Sequence, residues 1–493
     1  MSEPRSFLNA IKWAYTCNWG DRALAALFTF ILAGLLGPRT FGVVAIGLVY
    51  LSFMQMLLDQ GLTAALIQRK DLKPEHCDAV FWMNLLLGAL MISFTALLSG
   101  LWARANHVPE LRRLLPVMSI SLIFEALSMV QSAMLRRSMD FKSLAIRTNL
   151  SAVAGGVTGI VMALTGSGPW ALVGQQLVRD FLAVLLLWRL GSWRPHLEFS
   201  FTHLKELLSF SLHNFVAQLG IFTDLQAAPV LLGLFFGPVA VGLYRLADRL
   251  MNSVVVMSTT SIQAVSLPEF SRLQDQPEGL HDSALACIRL SASVTIPALA
   301  GLAAVSRPLM AMLGASWIPA TNALRVLCVL GMTVVLSFFT GPLLQAIGKT
   351  RQLAILEWAR VIIGVGFLIG LAKLVQGAGV NWQVTGIALA RFLPSVFVVT
   401  PIFLHILMRY CHLRVRDLIS AIGPSLLSGL GVVLSVTAMQ QIGVVAATRP
   451  MVMLAVYIFV GGVAGVGILI AMDRVIRGAV NKMFASLVAL SGF

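Results

Sequence analysis

Long apolar stretches follow one another from near residue 16 to near residue 472, and polar residues collect in the short intervals between them. A helix that crosses a bilayer needs about 20 consecutive, mostly apolar residues. Stretches of that kind lie at 16–36, 41–67, 79–101, 114–135, 144–165, 169–190, 207–235, 239–266, 284–305, 322–345, 353–375, 384–408, 418–440 and 450–472. They predict an all-α polytopic membrane protein with about 14 transmembrane helices. The longest connections, 191–206 and 267–283, are too short to hold a folded soluble domain. Residues Phe7 to Ala14 predict either a short interfacial helix or a continuation of the first span. The first twenty residues carry Glu3, Arg5 and Lys12 and no A-x-A site, so they do not read as a cleavable signal.

Composition strengthens this picture. Of 493 residues, 58% are hydrophobic and 12% charged. Soluble domains carry about 25% charged residues. A soluble enzyme, a nucleic-acid binder and a disordered chain are therefore not expected. The formal net charge of +15 would suggest nucleic acid in a soluble protein, but cytoplasmic loops of membrane proteins collect Lys and Arg. With the N-terminus placed inside, 22 of the 36 Lys and Arg fall in cytoplasmic segments and seven outside: Arg39, Arg104, Arg112, Arg113, Arg307, Lys373 and Arg449. The other seven lie within spans. Both termini are thus expected in the cytoplasm. The five cysteines show no CxxC spacing and the eight histidines no HExxH, so no metal and no cofactor are expected.

A repeat runs through the chain. Gly37-Pro38-Arg39-Thr40-Phe41-Gly42 precedes the second span and Gly237-Pro238-Val239-Ala240-Val241-Gly242 precedes the eighth. Gly166-Ser167-Gly168-Pro169-Trp170 and Gly377-Ala378-Gly379-Val380-Asn381-Trp382 separate spans five and six, and eleven and twelve. Basic connections at Arg136–Lys142 and Lys349–Arg351 form a third pair. Three pairs in one order predict two six-helix lobes in parallel pseudo-repeat, 1–198 and 199–408, with two C-terminal helices and a tail over 409–493. Parallel repeats of this kind hold substrate between the halves and rock one against the other.

An ionisable group inside the bilayer is costly and by default a candidate for function. Arg22, Arg179, Arg245, Arg249, Arg325, Arg360 and Arg391 fall within spans, as do Asp21, Asp59, Glu125, Asp180, Asp224, Asp248 and Glu357. Every buried cation is Arg, whose planar fork matches phosphate bidentately. The seven arginines are candidate substrate-binding cations. Asp59, Glu125, Asp224, Asp248 and Glu357 are candidate coupling or ion-pair acids. Arg22, Arg325 and Arg391 lie near helix ends, where snorkelling is the alternative. Arg245, Asp248 and Arg249 share one helical side. Asp224 and Arg249 stand 13 and 12 residues from the Gly237 turn, so matched depth predicts that they pair. Trp13, Trp19, Trp102, Trp170, Trp193, Trp317 and Trp382 lie near span ends, where interfacial belts form.

The runs Asp59-Gln60-Gly61-Leu62, Leu66-Ile67-Gln68-Arg69-Lys70 and Phe81-Trp82-Met83-Asn84, after Gly37-Pro38 and Phe41-Gly42, resemble the opening of the bacterial polysaccharide transporter family, in its colanic-acid-exporter branch. Asp140-Phe141-Lys142, Gly168-Pro169-Trp170-Ala171-Leu172-Val173, Ala247-Asp248-Arg249-Leu250 and Pro268-Glu269-Phe270-Ser271-Arg272 extend the resemblance to about residue 350. The family is part of the multidrug/oligosaccharidyl-lipid/polysaccharide flippase superfamily. The resemblance implies a Wzx-type flippase in the bacterial inner membrane that moves undecaprenyl-pyrophosphate-linked oligosaccharide between two lobes by alternating access. It also implies contact with membrane lipid, and a polysaccharide polymerase and export machinery as further partners, with no nucleic acid. A peptidoglycan-precursor flippase would share an arginine-lined cavity. A cation-coupled multidrug exporter predicts an acidic cavity poor in cations. A polymerase or ligase predicts a large external catalytic loop, and no nucleophile–base pair is apparent here, so no enzyme is expected.

Overall fold

The computed structural model describes residues 4–69, 71–191, 193–197, 201–442, 450–473 and 477–478. Among them there is helix and no strand. In chain order the helices are α1 (Pro4–Asp59), α2 (Leu62–Gln68), α3 (Pro74–Ala105), α4 (Leu111–Met118), α5 (Ser121–Arg137), α6 (Phe141–Leu164), α7 (Pro169–Leu190), α8 (Phe201–Phe236) and α9 (Pro238–Arg272). They continue with α10 (Pro277–Ala304), α11 (Ser306–Leu313), α12 (Thr321–Ser337), α13 (Thr340–Ala346), α14 (Thr350–Leu374), α15 (Val380–Pro394), α16 (Thr400–Cys411), α17 (Val415–Ile442) and α18 (Pro450–Met472). A 3₁₀ turn, Ala315–Ala320, enters α12, and a π-helical turn, Ser395–Val399, joins α15 to α16. The side chains of Trp13 and Trp19, residues 192 and 198–200 of the 191–206 connection, and the tail beyond residue 478 lie outside the described residues.

Twelve of the described helical segments are long and apolar enough to cross a bilayer, thirteen with Pro238–Thr260 and Val265–Arg272 taken as one bent span. This is a multi-pass membrane protein. The segment Gly20–Asp59 holds 40 residues. As one straight helix it would run roughly 60 Å at 1.5 Å per residue, twice the hydrocarbon thickness. It breaks at Gly37, whose φ of 73° and ψ of 169° are not helical, immediately before Pro38. Read as two spans, it accounts for the difference between thirteen and the fourteen expected. The seventh expected span, 207–235, lies within α8, Phe201–Phe236.

Two local features recur in the two halves of the chain. A third span is followed by an eight-residue helix in both halves, α4 after α3 and α11 after α10. The turn before α7 places Gly168 at φ 56°, and Gly379 stands at the same place before α15. The two Gly-Pro turns that the sequence pairs across 200 residues meet in space. A Cβ on Gly42 would fall on the carbonyl of Pro238, and a Cβ on Gly242 on the carbonyl of Pro38. The contact is reciprocal, residue for residue, as a two-fold relation between copies of one motif requires. Only glycine lets two backbones come this near.

Packing of Cα atoms divides the chain into two compact units, Met1–Arg245 and Leu246–Phe493. In the first, α6 lies along α7 and α1. Lipid tails are as apolar as leucine, so helices here associate through close backbone approach and polar contacts. Gly155 and Gly159 of α6, four residues apart, supply that approach: a Cβ at Gly155 would stand 2.6 Å from the Gln175 carbonyl and 2.8 Å from Arg179 Cβ. Tyr50 Oη donates to Thr95 Oγ1 at 3.2 Å between α1 and α3. In the second unit α10 packs on α17 and α12. Its core gathers Phe270, Ile288, Ile296, Phe339, Leu343 and Leu407. Thr295 Oγ1 donates to Ser258 Oγ at 2.6 Å, and Ser428 Oγ to the Gly465 carbonyl at 2.8 Å. Trp317, expected in an interfacial belt, is fully buried in the turn before α12.

Candidate functional site

The intramembrane charges sort into pairs and a cavity. Arg179 of α7 reaches Asp21 of α1 at 3.1 Å, with 43% and 30% of the two side chains exposed. Arg22 follows Asp21 in α1 and is half-buried. Arg391 of α15 reaches Asp248 of α9 at 2.9 Å, with only 19% and 14% exposed. Arg391 was a candidate substrate-binding cation, with snorkelling from a span end as the alternative. The structure instead turns it inward onto an acid 143 residues away. Arg360 and Glu357 pair at 2.8 Å along α14. Arg325 Nε donates to Ser306 Oγ at 3.0 Å. Arg245 donates to Gln226 Oε1. Arg249, on α9, is exposed. Asp224 falls in the first unit and Arg249 in the second.

Asp59 and Glu125 come together in a cavity of about 450 Å³ within the first unit. One wall is the end of α1 and the start of α2: Ser52, Gln55, Met56, Asp59, Gln60, Gly61 and Thr63. Glu125 and Arg136 of α5 form the second wall, and Phe215, Gln218, Ile221 and Phe222 of α8 the third. The cavity exists because the helix breaks. α1 ends at Asp59, Gln60 and Gly61 take φ of 44° and 81°, and α2 restarts at Leu62. Asp59 Oδ1 accepts from Thr63 Oγ1 at 2.6 Å and from Thr63 N at 3.3 Å, which satisfies a backbone donor freed by the break. Arg137 Nη1 closes the other end of α2 by donating to the carbonyls of Leu66, Ile67 and Arg69. Arg147, one of the 22 Lys and Arg counted in cytoplasmic segments from the sequence, lies inside α6 and donates to Ser132 Oγ at 3.2 Å; Glu125 is its charged neighbour.

Gln55, Gln60, Gln218, Arg136 and Arg137 were missed as site residues. Ser52, Gln55 and Asp59 are spaced by three and four, as are Phe215, Gln218 and Phe222. Both are single stripes on a helix face, and a polar stripe in an apolar span was the available signal. Outside the spans, Arg39 meets Glu110 at 2.6 Å. Glu110's own backbone N–H, then the Arg39 guanidinium, hold that carboxyl below the usual carboxylate range.

A multi-pass helical protein with a broken helix lining a polar cavity has features that a transporter needs. The chain belongs to the polysaccharide biosynthesis protein family, whose model matches residues 31–322. It is 26% identical over 357 residues to the succinoglycan biosynthesis transport protein ExoT of Rhizobium meliloti (strain 1021), which covers 72% of each chain. It is 25% identical over 301 residues to the teichuronic acid biosynthesis protein TuaB of Bacillus subtilis (strain 168), over 60% of this chain and 62% of that one. Among solved structures, the lipid II flippase MurJ in an inward closed conformation shares the fold, with a TM-score of 0.69 and 13% identity, over 95% of this chain and 100% of that one.

Proposed function

We propose that the protein is a flippase that carries undecaprenyl-pyrophosphate-linked oligosaccharide across the bacterial inner membrane, by alternating access of two six-helix lobes, 1–198 and 199–408. The observation that carries this reading is that, in a member of this family, the intramembrane arginines Arg179, Arg391 and Arg360 sit beside carboxylates that hold the guanidinium in place. An arginine kept charged at any depth, with a planar fork, suits a pyrophosphate passing through a dry region. Arg22, Arg179 and Arg249 are the cations assigned to the pyrophosphate. The named activities of its relatives, succinoglycan transport and teichuronic acid biosynthesis, support a glycan cargo. A polymerase that uses the product on the far side fits the same reading.

The experiment is deletion of the gene. The lipid-linked glycan is expected to accumulate in the cytoplasmic leaflet, and wild-type protein to clear it. Arg179→Ala and Arg249→Ala are expected to insert normally and leave it uncleared. Asp224→Ala is expected to lower protein level, and Asp224→Ala with Arg249→Ala to restore level without transport. No accumulation in the deletion strain sinks the reading. The topology is tested separately. A cysteine in 102–113 is expected to label from outside the cell, and one in 136–142 only after permeabilisation; the reverse pattern inverts the orientation.

A further inference from the structure

The break at Asp59–Gly61 is more elaborate than an ion pair needs. Gln60 carries a side chain at φ 44°, in a region that non-glycine residues seldom adopt. Such backbone strain persists only where the surroundings enforce it, and it gathers at ligand sites. Here Thr63 and Arg137 do the enforcing, from the two ends of α2. The result is a turn of chain that presents a carboxylate, two amides and two hydroxyls to a single space.

The chemistry of that space narrows what it takes. The carboxylate oxygens of Asp59 and Glu125 accept hydrogen bonds, and the amides of Gln55, Gln60 and Gln218 both donate and accept; Ser52 and Thr63, whose hydroxyls donate to the Leu48 carbonyl and to Asp59, add acceptor lone pairs. Phe215 and Phe222 add apolar ring faces on the α8 side. A lipid tail would set the carboxylates and amides of this lining against hydrocarbon, which is costly for polar groups. A pyrophosphate or an acidic sugar would meet the carboxylates of Asp59 and Glu125 on a lining whose one guanidinium is Arg136, with Arg147 behind Glu125. A metal ion finds no group of three or more His, Cys, Asp or Glu among the described residues. A neutral pyranose ring suits every wall. Its hydroxyls donate to the carboxylates and exchange hydrogen bonds with the amides, and its C–H face lies on the phenylalanines. The volume of about 450 Å³ lies in the range of small-molecule sites, roughly 300–1,000 Å³.

We propose that the cavity of Ser52, Gln55, Asp59, Glu125, Gln218 and Phe222 is a sugar subsite that holds a neutral hexose of the lipid-linked glycan. The proposal rests on the flippase reading for its ligand and adds a function for the glycan end that the arginines do not provide. It also assigns Asp59 and Glu125 a role beyond ion pairing: they admit a neutral ring and repel a uronic acid.

The test uses the full-length protein in nanodiscs and three probes: undecaprenyl pyrophosphate, the same lipid bearing one neutral hexose, and the same lipid bearing one hexuronic acid. The neutral hexose is expected to tighten binding roughly tenfold or more, equivalent to about 1.4 kcal/mol, and the hexuronic acid to add nothing. Gln55→Ala with Gln218→Ala is expected to remove the hexose gain and to weaken the hexosyl lipid far more than the bare one. Asp59→Asn with Glu125→Gln keeps the shape and removes both charges, and is expected to let the hexuronosyl lipid bind as tightly as the hexosyl lipid. A hexose that adds nothing in wild type, or variants that weaken all three lipids equally, overturns the subsite. If none of the lipids binds, the flippase reading fails, and a second measurement decides the subsite alone. Methyl glucoside must then protect Gln218→Cys from a maleimide. Protection by tetraphenylphosphonium and not by the glucoside, or no protection, overturns it.

Discussion

Arg391→Ala is expected to destabilise the purified protein more than Arg391→Ala combined with Asp248→Ala. Asp248 is 14% exposed, and its partner stands 2.9 Å away. Removing the guanidinium leaves a carboxylate buried without compensation, which in proteins costs about 3–5 kcal/mol. Removing both charges leaves only a loss of packing. The hydrocarbon environment raises the penalty for a lone ion further. Arg360 with Glu357 is the internal comparison. That pair lies three residues apart on one helix, with 36% and 39% of the side chains exposed, and exposed helix pairs contribute about 0.3–0.5 kcal/mol. The measurement is a thermal-unfolding series over both pairs and their double variants. If the losses at Arg391 and Asp248 simply add, the two are not coupled and the pair has no structural role.

Gly42→Ala is expected to lower stability and abolish transport, whereas Gly100→Ala leaves both intact. Both glycines stand in helices, where alanine is ordinarily better by roughly 0.5–1 kcal/mol. The Gly100 position has open space around it, so that gain is free to appear. At Gly42 the added methyl would fall on the Pro238 carbonyl. A backbone carbonyl has no rotamer by which to yield, so the two turns must separate. Overpacking of this sort commonly costs about 1–3 kcal/mol. Gly242→Ala, which meets the Pro38 carbonyl in the same way, should reproduce the defect. Wild-type melting and transport in either variant would show that the turns are not held together at this point.

The helices were largely legible because a bilayer permits so few solutions. Backbone polar groups cannot go unsatisfied in hydrocarbon, so an apolar run of sufficient length is a helix. Boundaries were less legible. The far end of the second span was expected to run to residue 67, but the structure stops it at Asp59. The left-handed φ at Gln60 and Gly61 leaves no mark in hydropathy, since Leu62 to Ile67 stay apolar. Similarly, Trp317 sits near a span end in sequence and is buried by the turn that carries it. Positional rules average over helices and do not see a local turn.

For the candidate site, the sequence by itself determined that ionisable groups, most of the cations among them arginine, must be accommodated in the membrane. It also determined that one motif, Gly-Pro followed by glycine, occurs twice at an offset of 200 residues. These are properties of composition and order, and the cost of burying charge makes them informative without coordinates. Which charges meet was decided only by the tertiary structure. Arg391 finds Asp248 across 143 residues, Arg179 finds Asp21 across 158, and the two glycine motifs close on each other. The same holds for the cavity, where Asp59, Glu125 and Gln218 come from three helices. Partners so far apart are chosen by helix rotation and depth. Those depend on small residues such as Gly155 that set how near two helices come, and no single stretch of sequence contains that information.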